Sequence, residues 1–250
     1  MFCRGIHNVL HCTAAGPQKN VGCVPERTAG GVIGDHALQK RSPMTWIKIC
    51  GITNLQDALA AAALGVDALG FIFAASPRKI EPGVAREIIA SLPPAMGKVG
   101  VFVNEDSDEV KRIADLCGLD TLQFHGEETP EYCQQVSLRV LKAIRIKNSE
   151  SIGEMEKYPT VSILLDTYSA DRAGGTGETF IWELAWEARQ RRNFILSGGL
   201  NPGNVYRAIH LLRPMGVDVC SGVERGPGKK DLFKMTEFVK GVRKADETTG

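Results

Sequence analysis

Short β-prone runs alternate with helical patterns along most of this sequence, and this alternation restricts the possible fold more than any other feature. Eight candidate strands recur at intervals of roughly 20 to 30 residues, which is the length of one strand–helix unit. They occupy residues 46–50, 68–73, 98–103, 121–124, 140–144, 162–166, 193–197 and 217–221. Capping residues and helical spacing predict a helix after each strand, as with Asn54 before residues 55–64.

Eight such units in about 205 residues predict an α/β fold with a single (β/α)8 TIM barrel, slightly smaller than the usual ~250 residues. A doubly wound open sheet is the alternative. A dinucleotide-binding sheet of that kind would carry G-x-G-x-x-G after its first strand, and residues 50–54 do not supply it. We therefore favour the barrel.

The first 43 residues differ from the rest, because their apolar residues are isolated and no period of 2 or 3.6 persists. We predict a poorly ordered N-terminal extension over residues 1–43 and a barrel domain over residues 44–250. The extension lacks the apolar core of a secretory signal. A transit peptide is the alternative, since acidic residues are sparse, although serine is nearly absent.

Composition excludes several classes of function. The formal net charge is +1 and the basic residues are scattered, which predicts no nucleic-acid partner. The sequence contains no run of 18 apolar residues, so no membrane span is predicted. Seven cysteines without a C-x-x-C pair favour the cytoplasm over an oxidising compartment and argue against structural zinc. The sequence does not distinguish a monomer from a homodimer.

In a (β/α)8 barrel, catalytic residues come from the carboxyl ends of the strands and from the loops that follow them. Cys50 ends the first candidate strand and Asp166 ends the sixth. The alternatives are a cysteine that serves as a small buried hydrophobe and an aspartate that serves as a cap or turn residue. Both residues are candidates for proton transfer if the barrel is correct.

The seventh and eighth strands are followed by two glycine-containing turns, at residues 197–202 and 221–224. Small residues there let backbone N–H groups converge on an anion, and this fold commonly binds a phosphate at these loops. The candidate binding residues are Gly199, Leu200, Ser221 and Gly222. Ordinary turn glycines are the alternative.

Three other features belong to the same predicted barrel mouth. Arg78 follows the second strand and suits two-pronged binding of a carboxylate, although a solvated surface arginine is the alternative. His125 follows the fourth strand, and a hydrogen-bonding loop residue is favoured over a base. Residues 174–177 are too short for a Walker motif and are predicted to be a hinge in a mobile lid.

Together these segments resemble the phosphoribosylanthranilate isomerases of tryptophan biosynthesis, and the similarity runs in order over about residues 44–240. The matching motifs are K-I-C-G-I-T at 48–53, G-F-I-F at 70–73 with S-P-R at 76–78, V-G-V-F-V-N at 99–104, L-Q-F-H-G at 122–126, L-L-D at 164–166, G-G-T-G at 174–177, G-G-L-N-P-G-N-V at 198–205 and V-D-V-C-S-G-V-E at 217–224. Departures are Phe124 where leucine is common, Cys220 where serine is common, and residues 1–43.

The resemblance implies an Amadori rearrangement of a small phosphosugar substrate, N-(5-phosphoribosyl)anthranilate, without a metal or cofactor. It also implies that Cys50 is the general base, that Asp166 is the general acid and that Arg78 meets the anthranilate carboxylate. Two alternatives remain open at this point. One is a different phosphosugar enzyme on the same scaffold, and the other is a non-catalytic phosphosugar-binding barrel.

Overall fold

The computed structural model describes residues 44–166 and 177–248, in which strands and helices alternate as the sequence predicts. The strands are β1 Trp46–Cys50, β2 Ala68–Ile72, β3 Gly97–Phe102, β4 Thr121–Phe124, β5 Arg139–Arg145, β6 Ser162–Asp166, β7 Ile195–Ser197 and β8 Gly216–Val219. The helices are α1 Leu55–Ala63, α2 Pro82–Ala90, α3 Ser107–Cys117, α4 Pro130–Gln134, α5 Ser149–Gly153, α6 Gly177–Arg191, α7 Val205–Leu212 and α8 Leu232–Thr248.

The eight strands form one closed parallel barrel in sequence order, and β8 pairs with β1 to complete it. At this seam Lys48 is in register with Asp218, and Ile49 with Val219. The predicted barrel is therefore confirmed, and the open doubly wound sheet is wrong, because an open sheet would leave its two edge strands unpaired.

The strands have one apolar layer on the outer face of the barrel and a second one inside it. Val140 and Ile144 of β5 belong to the large core between the strands and the helices. Leu141 and Ala143 of the same strand belong to a separate small cluster with Leu164 and Ile195. Since successive side chains of a strand point to opposite faces, the small cluster fills the barrel interior.

Most helix starts agree with the predicted caps. The Asn54 side chain accepts a hydrogen bond from the backbone N–H of Asp57 at 2.9 Å, and Thr129 caps α4 in the same way. The sequence also predicts Ser107 as the cap of the third helix and residues 201–202 as the start of the seventh, and both predictions are wrong. Asp106, and not Ser107, caps α3, and α7 begins at Val205 and not at residues 201–202.

A short ribbon closes the region after β8. A 3-10 turn at Ser221–Val223 leads into β9, Glu224–Gly226, which pairs antiparallel with β10, Lys229–Lys230. Through this ribbon Lys230 donates hydrogen bonds to Cys220 and Glu224, and Glu224 accepts one from Lys234 of α8.

The predicted extension, residues 1–43, lies outside the described residues, so its prediction stands untested. Within the part of the chain that the structure describes, no helix combines the length and the apolar character needed to cross a membrane.

Candidate active site

Cys50 lies at the carboxyl end of β1 and is 5% exposed. The strand ends there because Gly51 adopts a φ of 74°, which a residue with a side chain would adopt only with strain. A β-carbon on Gly70 would lie 2.7 Å from the Cys50 sulfur and 3.0 Å from Cε of Lys48. The thiol and the lysine side chain therefore pack together over Gly70, where no side chain fits.

Lys48 is fully buried and forms an ion pair with Asp218, with Nζ 2.8 Å from Oδ1. Burial lowers the pKa of Lys48, but Asp218 and Cys50 outweigh it and hold that pKa above its usual value. The lysine thus stays cationic beside the thiol. A buried cation of this kind favours a negative charge on a neighbouring sulfur.

The thiol of Cys50 has an acidic pKa in this environment. A hydrogen bond with the Cys220 side chain lowers the pKa of Cys50, burial opposes that change, and Lys48 lowers the pKa further, to about 6. The ordinary value for a free cysteine is about 8.5. Cys50 is therefore suited to act as a thiolate base at neutral pH.

Asp166 lies at the carboxyl end of β6 and interacts with His125. Nε2 of His125 lies 3.0 Å from Oδ2 of Asp166, and Nδ1 of His125 lies 3.2 Å from Nε2 of Gln123. In the tautomer that accepts from the Gln123 amide at Nδ1, His125 donates a hydrogen bond from Nε2 to Asp166. This chain holds the carboxyl group toward the cavity. His125 thus makes hydrogen bonds in the loop after β4, as the favoured interpretation predicts.

Arg78 reaches the barrel mouth and binds Glu224 in a two-pronged pair. Its Nε lies 2.9 Å from Oε1 and its Nη2 lies 2.7 Å from Oε2. Lys230, fully buried, contacts the same carboxylate at 2.9 Å. Burial raises the pKa of Glu224, but the hydrogen bonds from Arg78 and Lys230 outweigh it and hold that pKa below its usual value. The guanidinium is therefore fixed in orientation by a charged partner.

The turns after β7 and β8 approach each other closely. Gly198 and Gly199 have φ values of 88° and 67°, which let the chain leave β7 in a tight turn. A β-carbon on Gly222 would overlap the carbonyl oxygen of Leu200, so only glycine fits where the second turn crosses the first.

One cavity of about 410 Å³ joins these groups at the carboxyl ends of the strands. Its lining includes the predicted residues Cys50, Arg78, His125, Asp166, Gly199, Leu200 and Ser221. Gly222 touches the Leu200 turn and is not part of the lining. The predicted lid at residues 174–177 falls almost entirely outside the described residues, which resume at residue 177. The cavity thus has a thiol and a carboxyl group in its lining.

Several residues of the site are absent from the sequence-based prediction. They are Lys48, Gln123, Asp218, Cys220, Glu224 and Lys230. A charged residue inside an apolar strand, as with Lys48 and Asp218, was the available signal, because such a residue requires a buried partner. Among the described residues, no group of three or more His, Cys, Asp or Glu side chains is arranged to hold a metal ion.

The chain is similar to proteins of one family. The family model described as N-(5'-phosphoribosyl)anthranilate (PRA) isomerase matches residues 47–241. A curated relative from Desulforudis audaxviator, named N-(5'-phosphoribosyl)anthranilate isomerase, is 51% identical over 205 residues, which cover 81% of this chain and 100% of the relative.

Solved structures agree with this similarity. A phosphoribosyl anthranilate isomerase in complex with reduced 1-(o-carboxyphenylamino)-1-deoxyribulose 5-phosphate has a TM-score of 0.73 and 42% identity, covering 80% of this chain and 100% of that chain. A structure of monomers generated from the dimeric enzyme of Thermotoga maritima has the same TM-score of 0.73, 42% identity and coverage of 80% and 100%.

Proposed function

The chain belongs to the N-(5'-phosphoribosyl)anthranilate isomerase family, and from that premise we propose how its own residues carry out the reaction. It is an isomerase of tryptophan biosynthesis. The proposed reaction is the Amadori rearrangement of N-(5-phosphoribosyl)anthranilate to 1-(2-carboxyphenylamino)-1-deoxyribulose 5-phosphate. The observation that supports the proposal is the shared cavity, whose lining includes both Cys50 of β1 and Asp166 of β6.

Asp166 acts as the general acid. It donates a proton to the ring oxygen of the ribose, the bond between C1 and that oxygen breaks, and the anthranilate nitrogen forms an iminium with C1. The hydrogen bond from His125 at 3.0 Å supports this role, because it fixes the direction in which the carboxyl group faces.

Cys50 acts as the general base. Its thiolate removes the proton from C2 of the opened sugar, and the electron pair of that bond moves to the iminium and forms the enolamine. Tautomerisation of the enol then gives the ketone, so that no atom is gained or lost. A thiol pKa of about 6 supports this role, since most of the sulfur is then deprotonated at neutral pH.

The rest of the cavity binds the substrate. The turns with Gly199, Leu200, Ser221 and Gly222 bind the phosphate, supported by their tight approach after β7 and β8. Arg78 meets the anthranilate carboxylate. Because Glu224 already occupies Nε and one N–H of Nη2, the edge that contains Nη1 is the one that would face the substrate.

The bound analogue in the related structure, a 1-deoxyribulose 5-phosphate, supports a small phosphosugar as the substrate. We propose a cytoplasmic location, in keeping with four described cysteines that are all free. We keep both predicted states of assembly, a monomer or a homodimer, and the dimeric relative from Thermotoga maritima supports the second.

The test is a fluorescence assay that follows the loss of N-(5-phosphoribosyl)anthranilate. Cys50→Ala and Asp166→Asn should each fold normally and lose about 10²-fold or more of turnover, because each removes one positioned proton-transfer group. The matched controls are Cys117→Ala and Asp115→Asn on α3, which do not line the cavity and should retain turnover. Near wild-type turnover in either site variant would show that its role is assigned wrongly.

A further inference from the structure

The seam of the barrel brings two cysteine side chains together. Ile49 of β1 is in register with Val219, the last residue of β8, so Cys50 at the end of β1 lies beside Cys220, the first residue after β8. Both residues line the cavity, and Cys220 is close enough to lower the pKa of the Cys50 thiol. A β-carbon on Gly51 would lie 2.9 Å from the Cys220 sulfur, which locates that sulfur directly over the turn after Cys50.

Charged groups surround this pair. Among the described residues these are three cations and two carboxylates, namely Lys48, Arg78, Lys230, Asp218 and Glu224. The group has an excess of one positive charge, which one thiolate neutralises and a second thiolate would reverse. Across the cavity, His125 and Asp166 form a separate pair. The two sulfurs are therefore expected to hold one proton between them.

The neighbours decide which sulfur keeps the proton. Oε1 of Glu224 lies 4.0 Å from the Cys220 sulfur, so this carboxylate is a second, long-range acceptor for the thiol and opposes a negative charge on that sulfur. Nζ of Lys230 is also near, at 3.8 Å, but it is already paired with Glu224 at 2.9 Å. The hydrogen bond with Cys50 and burial raise the pKa of Cys220 far above that of an ordinary thiol. Cys220 is therefore the sulfur that keeps the proton.

We propose that Cys220 is a positioning residue, whose thiol donates a hydrogen bond to the Cys50 sulfur and holds it as the thiolate that removes the C2 proton. This inference rests on the proposed role of Cys50 as the base. Cys220 keeps its own proton throughout, and Cys50 takes up the substrate proton and later returns it. A hydroxyl at the same position would make the same kind of hydrogen bond.

The experiment measures the protonation of Cys50 directly. The full-length protein is alkylated with iodoacetamide across a pH series, and the labelled peptide that contains Cys50 is quantified by mass spectrometry. The midpoint should lie near pH 6 in the wild type. In Cys220→Ala it should rise by about one to two pH units, the shift typical of a lost hydrogen bond to a charged group. Cys220→Ser should restore a midpoint close to that of the wild type.

The acid limb of the kcat–pH profile should move with the alkylation midpoint in each variant. Cys133→Ala, at a buried cysteine of α4, is the control and should change neither value. Should Cys220→Ala fail to fold, Cys220→Val fills the same space without a donor and carries the same expectation.

Two results would overturn the inference: an unchanged midpoint in the variant without a donor, or an equal shift in Cys220→Ser, which would indicate packing and not hydrogen bonding. A third result separates this inference from the proposed function. If the midpoint rises while the kcat limb stays in place, the thiol contact is supported and the base role of Cys50 is wrong.

Discussion

Cys50 obtains its chemical character from side chains that are distant in sequence. Asp218 and Cys220 come from the last strand of the barrel and its following turn, and they reach Cys50 only because β8 pairs with β1. Lys48 is the exception, since it precedes Cys50 by two residues and therefore shares its face of β1. The reactivity of one thiol is thus a consequence of barrel closure.

The lowered pKa of Cys50 predicts a pH dependence of turnover. A base must be deprotonated, so on the acid side kcat should fall about tenfold for each unit below a pH of about 6. An unperturbed thiol would place that limb near pH 8.5. The measurement is kcat between roughly pH 4.5 and 9, and we expect a bell shape whose limbs are macroscopic values of interacting groups.

A Cys50→Ser variant is the companion measurement to that profile. A hydroxyl is a far weaker acid than a thiol, so turnover should nearly disappear across the whole pH range. Substantial activity of Cys50→Ser at neutral pH would contradict a thiolate base.

The residues of the site differ in how well they could be predicted from the sequence. Cys50 and Asp166 could be predicted, because catalytic residues of a (β/α)8 barrel lie at the carboxyl ends of its strands. The role of His125 remained open, since its partner Asp166 comes from β6 and no local pattern links the two. The pairing of Glu224 with Arg78 could not be predicted either, because no local pattern links the two residues. They meet through the ribbon after β8.

At the scale of elements, the turns after β7 and β8 show where local patterns mislead. Asn201 before a proline resembles a helix start, but its side chain accepts from the N–H of Gly203 at 2.8 Å and its own N–H donates to Asn204 at 2.9 Å. These bonds make a turn, and α7 begins only at Val205. Asparagine side chains favour both arrangements, so their identity alone does not locate the helix.

The close crossing of the two turns gives a prediction for Gly222→Ala. The added methyl group overlaps the Leu200 carbonyl, so the turns must separate and the predicted phosphate contacts lengthen. A loss of about 1.4 kcal/mol of binding would raise KM about tenfold, and inhibition by inorganic phosphate should weaken in parallel.

The control for Gly222→Ala is Gly83→Ala in α2, where a β-carbon would meet no atom within 4 Å. That variant should leave KM and phosphate inhibition as in the wild type. An unchanged KM in Gly222→Ala would contradict a phosphate site at the crossing.

At the scale of the whole molecule, the order of the elements was the most predictable property. Eight strand–helix units with short connections allow few arrangements, since parallel neighbours require a crossover helix and closure removes the exposed edges. Strand bounds agree to within about two residues, the usual uncertainty of element ends. The register between β1 and β8, which places Lys48 opposite Asp218, could not be predicted from any local pattern.

The hydrogen bonds of Thr45 lead to a prediction about the first 43 residues. The described barrel closes with residues from Thr45 onward, whose N–H and hydroxyl donate to Asp246 of α8 at 3.1 and 2.6 Å. We therefore expect a truncated protein that starts at Met44 to keep the kcat and the melting temperature of the full chain. A matched truncation that starts at Trp46 removes Thr45 and its hydrogen bonds, including the one from Arg243 at 2.8 Å. At about 1 kcal/mol for each bond, it should melt several degrees lower.

The measurements are the activity and the thermal unfolding of the three proteins. A protein that starts at Met44 yet is insoluble or inactive would show that residues 1–43 are needed by the barrel.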